Sequence, residues 1–221
     1  MSNQKKSTIK ISTYISVSIV CLCGASHLYG QNNDFKLWLG AEASKEVIKN
    51  LDVGGRIQSR LGQNASFSEK YLAEIGFQYA VKKYYATGLK YRLSDFGIVA
   101  AHRIDFDNNF AYERFNDKID LRIRYQHRFL TESSLSKDRL RFRLGYTHKF
   151  SKKLRVYGKA EYFYTSYYRY NHWDQQRYTV GTRVRIYKIH FLDIYYRYQN
   201  QFNVEYPQSD YILGMTYILN L

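Results

Sequence analysis

Cysteine and proline are almost missing from this chain of 221 residues, which has two cysteines, Cys21 and Cys23, and one proline, Pro207. With only 13 glycines beside that proline, a collagen-like or low-complexity chain is excluded. Acids are scarce as well: 19 Asp and Glu stand against 34 Lys and Arg, a formal net charge of +15. After Ala25 there is no long apolar run, so nothing supplies the roughly 20 apolar residues that a membrane-crossing helix needs. What the chain has in quantity is aromatic surface, 24 Tyr and 13 Phe, which argues against simple disorder. A mean hydropathy of −0.53 suits a soluble protein, and equally a barrel in which half of every strand faces lipid.

Residues 1–30 have three parts: a basic start with Lys5, Lys6 and Lys10, an apolar stretch from Thr13 to Ala25, and the small residue Gly30 before Gln31. That is the layout of a Sec signal peptide, too short to span a bilayer. The expected mature domain is therefore 31–221, with the cleavage site open by a few residues because Leu28 is a poor −3 residue. Both cysteines leave with the signal, so the exported domain has neither disulfides nor thiol chemistry. A lipoprotein reading is weaker, because the residues before Cys21 and Cys23 are not the small ones that usually precede an acylated cysteine.

Period two then runs through the whole chain. Ile119, Leu121, Ile123, Tyr125, His127 and Phe129 alternate with Asp120, Arg122, Arg124, Gln126 and Arg128. The next segment sets Leu140, Phe142, Leu144, Tyr146, His148 and Phe150 against Arg139, Arg141, Arg143, Gly145, Thr147 and Lys149. A helix with these spacings would spread arginine around its circumference; a strand puts it on one face. Similar alternation marks 35–43, 53–61, 71–81, 85–93, 102–112, 154–164, 178–186, 190–198 and 211–221, eleven candidate strands of about ten residues, the length of a tilted membrane strand. Short links near 82–83, 116–117, 151–153 and 188–189 alternate with longer ones at 62–69, 94–99, 130–137, 166–174 and 203–209. Short periplasmic turns and longer external loops describe an all-β, up-and-down antiparallel transmembrane β-barrel. Closure with both termini in the periplasm needs an even count, so 10 or 12 strands are expected.

Tyr162, Tyr164, Tyr168, Tyr196 and Tyr198 crowd strand ends near the long links, as an interfacial aromatic girdle requires. Facing the lumen, the register gives a charge ladder of Arg92, Arg103, Arg122, Arg124, Arg141, Arg143, Arg183, Arg185 and Arg197, with fewer acids at Asp105, Asp120, Glu161 and Asp193. Such groups either brace and plug a narrow barrel through ion pairs or leave an anion-attracting path. Nucleic-acid binding, the soluble reading of the basic charge, needs bases gathered on one accessible face and a cytoplasmic address. An embedded lipid-modifying or proteolytic enzyme needs a nucleophile beside a base. His127 and His148 sit on the lipid-facing register in an echoed Tyr-x-His-x-Phe pattern, and His102 with Asp105 and His172 with Asp174 are loose pairs, so no catalytic site is expected. No cysteine or histidine spacing suggests a metal site, and no cofactor is implied. Gly54-Gly55 reads as a bend or close packing in the wall. A surface binding module using the aromatic segment from Tyr164 to Trp173 is a further alternative.

The Trp38 segment, the Lys-rich turn from Lys45 to Asn50, Ser59-Arg60, His102-Arg103-Ile104-Asp105, the strand from Leu121 to Phe129 and the alternating C-terminal strand together resemble the domain of unknown function 2490 family, from about Asp34 to Leu221. The resemblance implies an outer-membrane barrel of a Gram-negative, Bacteroidota-type bacterium, with no catalytic residues to carry over. Its implied partners are outer-membrane lipid, including lipopolysaccharide, and the barrel-assembly machinery. That machinery reads a terminal strand such as Tyr211, Leu213, Met215, Tyr217, Leu219 and Leu221, although this one ends on Leu instead of an aromatic residue.

Overall fold

The computed structural model describes residues 32–95, 100–130, 133–167 and 170–221. The expected signal peptide, 1–30, and Tyr168 lie outside them. Eleven strands follow one another: β1 (Asn32–Ile48), β2 (Leu51–Gly62), β3 (Phe67–Lys82), β4 (Tyr85–Asp95), β5 (Ala100–Arg114), β6 (Asp117–Leu130), β7 (Ser133–Lys149), β8 (Leu154–Tyr167), β9 (Tyr170–Tyr187), β10 (His190–Gln201) and β11 (Gln208–Asn220). Each pairs antiparallel with its sequence neighbours, and the sheet closes on itself through β1 and β11.

The closing pair corrects the expected strand count. β1 and β11 are parallel over thirteen residue pairs, from Asn32↔Gln208 to Ser44↔Asn220, so the barrel closes with eleven strands, neither 10 nor 12. The even count assumes that every neighbouring pair is antiparallel. A parallel ladder also satisfies the backbone donors and acceptors of both edges, with evenly spaced, slanted bonds. An odd number of strands puts the start of β1 and the end of β11 at opposite rims.

The links also differ from expectation. One rim carries tight turns at Lys49-Asn50, Lys83-Tyr84, Phe115-Asn116, Phe150–Lys153 and Lys188-Ile189. At the other rim 63–66 is a turn and 202–207 is irregular, but the expected loops 130–137 and 166–174 are in good part ladder: Phe129 pairs with Ser136, Ser166 with Asn171 and Tyr167 with Tyr170. Extended pairing satisfies backbone groups that a loop would leave to solvent. The segment from Tyr164 to Trp173 is accordingly the tip of the β8–β9 hairpin, with those two residues paired across it.

The alternation sorts the side chains. Along β3, Tyr71, Ile75, Phe77 and Tyr79 face out at 59%, 60%, 47% and 44% exposure, while Leu72, Glu74, Gly76 and Gln78 face the lumen. Apolar and aromatic residues cover the outer wall on every strand, from Phe35 on β1 to Tyr217 on β11. A water-facing wall of this extent would be a continuous apolar patch far larger than soluble monomers carry.

Candidate functional site

The lumen holds the charge. On its β5–β7 side the acids are matched: Arg124 donates to Asp107 through Nε at 2.5 Å and Nη2 at 2.6 Å, and to Asp105 through Nη1 at 2.9 Å. Arg103 Nη2 donates to Asp105 at 2.9 Å and Gln126 Nε2 at 3.0 Å. Asp105, Asp107 and Arg124 are 0%, 2% and 4% exposed, so this is a buried, fully engaged network spanning neighbouring strands. Glu161 on β8 receives Arg141 at 2.5 Å and Arg177 at 3.2 Å, with Arg122 at 3.7 Å. Arg143 reaches Asp120 at 2.6 Å, Arg183 lies 3.5 Å from Asp193, and Arg92 binds Glu74. Removing either partner of such a buried pair strands a charge, which makes these pairs braces whatever their net worth.

The side formed by β1, β2 and β10 is different. The Arg60 guanidinium lies 3.7 Å from the centre of the Trp38 ring and that of Arg197 lies 5.0 Å from it, so two cations share one indole. Among the described residues Arg60 donates only to Gln58, at 3.0 Å, and Arg197 only to Thr179, at 3.0 Å. Lys159 stands 3.9 Å over the Tyr157 ring, and Arg185 5.2 Å over that of Phe191. Among the described residues, Arg56, Arg60, Lys159, Arg185 and Arg197 have no carboxylate within ion-pair distance.

A cavity of about 190 Å³ lies between the two sides, with twelve Lys and Arg and only four Asp and Glu on its walls. Buried donors around it, Trp38 Nε1, Gln58 Nε2 and Tyr195 Oη, have no hydrogen-bond partner among the described residues. A basic vestibule of about 600 Å³, which includes Lys118, Arg155 and Arg183, joins it toward the tight-turn rim. Excess guanidinium and unpartnered N–H and O–H donors in a narrow space are what a dehydrated anion needs.

All nine arginines and four acids of the expected ladder lie on inward-facing positions of their strands. The ladder drawn from sequence left out Arg56, Arg60, Lys90, Arg139, Lys159 and Arg177, and Trp38 as the aromatic partner of Arg60 and Arg197. The same alternation could have found them, for instance Arg177 in step with Arg183 and Arg185. Asp174 carried no such signal, because it is the extra residue of a bulge in β9, turned inward to Arg139 at 3.0 Å and Thr165 at 2.7 Å. Of the tyrosines, Tyr162 and Tyr196 are exposed on the outer wall, Tyr162 bonds Tyr178 hydroxyl to hydroxyl at 2.9 Å, and Tyr164 meets Trp173 edge-on. The Tyr198 ring lies tilted 5.4 Å from that of Tyr211, whereas Tyr195 turns inward and is 5% exposed.

His102, His127, His148 and His190 face outward. His127 and Tyr125 converge on Asp138 at 2.7 and 2.9 Å, and His148 and Tyr146 on Asp117 at 2.7 and 2.7 Å. His102 bonds Tyr91 at 2.5 Å on the outer wall while Asp105 lies inside, so that loose pair is split by the pleat. His172 aligns with Thr165, and Asp174 bonds the side chains of Thr165 and Arg139. Among the described residues there is no cluster of three or more His, Cys, Asp or Glu that could hold a metal ion.

Several solved structures are similar to this chain. A bacterial polysaccharide outer membrane secretin is 10% identical over 75% of this chain and 63% of its own, with a TM-score of 0.55. The chain thus spans under two thirds of that protein. The NanC porin is 10% identical over 75% of this chain and 86% of its own, with a TM-score of 0.51, and LpxR from Salmonella typhimurium is 7% identical over 76% and 83%, with a TM-score of 0.48. At these identities the first two likenesses establish a barrel fold of the outer-membrane type and nothing finer. No curated protein sequence matches the chain. A family model does: the one described as Protein of unknown function (DUF2490) covers residues 35–210, nearly all of the barrel, and the chain belongs to that family.

Proposed function

We propose that this protein is a Sec-exported barrel of the Gram-negative outer membrane whose lumen attracts and passes small anions. The membrane placement is supported by the apolar outer wall and by closure of the sheet, since backbone in hydrocarbon tolerates no open edge. Lipopolysaccharide and phospholipid would cover that wall, and the barrel-assembly machinery would insert it. The observation that carries the functional reading is the asymmetry of the lumen: the β5–β7 side is braced by paired charge, while Arg56, Arg60, Lys159 and Arg197 border the 190 Å³ cavity with no carboxylate partner among the described residues. The first side holds the bore open and the second sets its sign. No catalytic step is assigned.

Purified barrel in a planar bilayer under a salt gradient tests this reading. Small steps with a reversal potential favouring chloride over potassium are expected, and Arg60→Gln with Arg197→Gln should reduce that preference while keeping hydrogen-bonding capacity. A folded barrel that is electrically silent would show that the lumen is plugged.

A further inference from the structure

The two rims treat most of their cations differently. At the rim where β1 begins, cations are held by acids: Lys36 lies 3.6 Å from Asp34, 2.9 Å from Glu69 and 3.4 Å from Asp210, and Arg139 lies 3.0 Å from Asp174. At the tight-turn rim Lys118 and Lys149 reach Glu113 at 2.9 and 3.8 Å, but Lys49, Lys82, Lys83, Lys152, Lys153 and Lys188 are exposed with no carboxylate within ion-pair distance among the described residues, Lys82 and Lys83 at the mouth of the vestibule. Each of the five turns also presents an apolar side chain beside its cation. Ile48, Tyr84, Phe115, Phe150 and Tyr187 are 64%, 56%, 88%, 64% and 59% exposed. Rings and cations are in contact at three turns: Lys82 lies 5.8 Å over Tyr84, Arg114 5.4 Å over Phe115 and Lys188 5.3 Å over Tyr187. Phe115 has φ of 53°, a left-handed conformation unfavourable for an aromatic residue, and its ring points away from the protein.

Lysines alone would suit any polyanion in water, and rings alone would suit hydrocarbon. Their pairing at every turn fits a layer that is apolar and anionic within a few ångströms, the headgroup zone of an anionic phospholipid leaflet. We infer that the tight-turn rim is a collar that selects anionic phospholipid headgroups, fixing the depth and orientation of the barrel in its inner leaflet. The inference rests on the membrane reading above and adds the lipid class and the rim that meets it.

The test uses the full barrel refolded into phosphatidylcholine vesicles with trace spin-labelled phosphatidylglycerol or phosphatidylcholine, and electron spin resonance reads the motionally restricted fraction of each. Phosphatidylglycerol should be favoured at least about threefold at low salt and lose that advantage in 1 M salt, where the Debye length is about 3 Å. Replacing the six unpaired lysines by Gln should bring the ratio close to one, while Lys70→Gln with Lys137→Gln at the opposite rim should leave it unchanged. If the sixfold variant fails to fold, Lys82→Gln with Lys83→Gln and Lys152→Gln with Lys153→Gln should each give a partial loss. Equal restriction of both lipids by the unaltered barrel, or a preference that survives the lysine changes, would overturn the collar. So would turn-dependent binding to peptidoglycan without lipid selectivity. Failure of the unaltered barrel to enter bilayers at all would instead overturn the membrane reading.

Discussion

Leu144 is 57% exposed on the outer wall and pairs with Leu121 on β6, five residues in from the tight-turn end of β7. An arginine there would face hydrocarbon, so Leu144→Arg is expected to cost about 2–4 kcal/mol and sharply reduce assembly. Gln78 faces the lumen on β3 near the basic vestibule, and Gln78→Arg should fold with little loss. Yields of heat-modifiable barrel compare the two, and equal tolerance would mean that the faces are assigned wrongly. A lumen position is not automatically permissive, however. Gln126, also inward, is 4% exposed and donates to Asp105, so an arginine at this position would crowd a network already holding Arg103 and Arg124. Residue character and register are legible in sequence, whereas this difference between two lumen glutamines depends on which neighbours the closed wall brings together.

Strands β8 to β11 pack by laying aromatic rings over glycine. Within the lumen the ring of Tyr157 covers Gly181 and that of Tyr195 covers Gly214, where an added Cβ would fall inside the ring. Gly214→Ala should therefore destabilise the refolded barrel by about 1–3 kcal/mol in urea titration, and Tyr195→Val in the same chain should recover part of that loss. The fit of ring to glycine keeps these strands close at the place where the unpaired arginines gather. Eleven strands were legible because each buries one face against charge and offers the other to lipid, a rule that acts locally. Two features were not. The hairpin tips at 130–137 and 166–174 read as loops because their composition is polar, yet polar residues pair as well as any once the backbone ladder continues. The kinship of β6 and β7 goes further than the echoed Tyr-x-His-x-Phe: Asp117 to Phe129 and Asp138 to Phe150 repeat one thirteen-residue pattern, Asp first, Tyr ninth, His eleventh and Phe last. Antiparallel pairing turns that repeat into two equivalent Asp-Tyr-His clusters, one at each end of the hairpin.

Closure is a property of the whole molecule, and local alternation carries no record of it. Counting strands gave eleven, but nothing within β1 or β11 states that they run the same way where they meet. Paired cysteines test the seam, since residues 32–221 contain none. Ala41 and Tyr217 are partners across it and both face outward. Ala41→Cys with Tyr217→Cys should form a disulfide in the folded barrel and keep it compact on boiling in detergent, while Ala41→Cys with Leu213→Cys, four residues out of register, should not. Efficient bonding of the second pair would refute the parallel seam.

The same seam limits how the chain could be rewired. In a barrel closed by an antiparallel pair, the first and last strands end at one rim, and a short loop could join them while a new start is cut elsewhere. Here the end of β11 and the start of β1 are separated by the length of a strand, about 40 Å for thirteen residues at roughly 3.3 Å each. A connector would have to climb through the arginine-lined bore or through lipid, where unpaired backbone is not tolerated. Circular permutants of this barrel should therefore fail for want of a route, even where the new termini fall in an exposed turn.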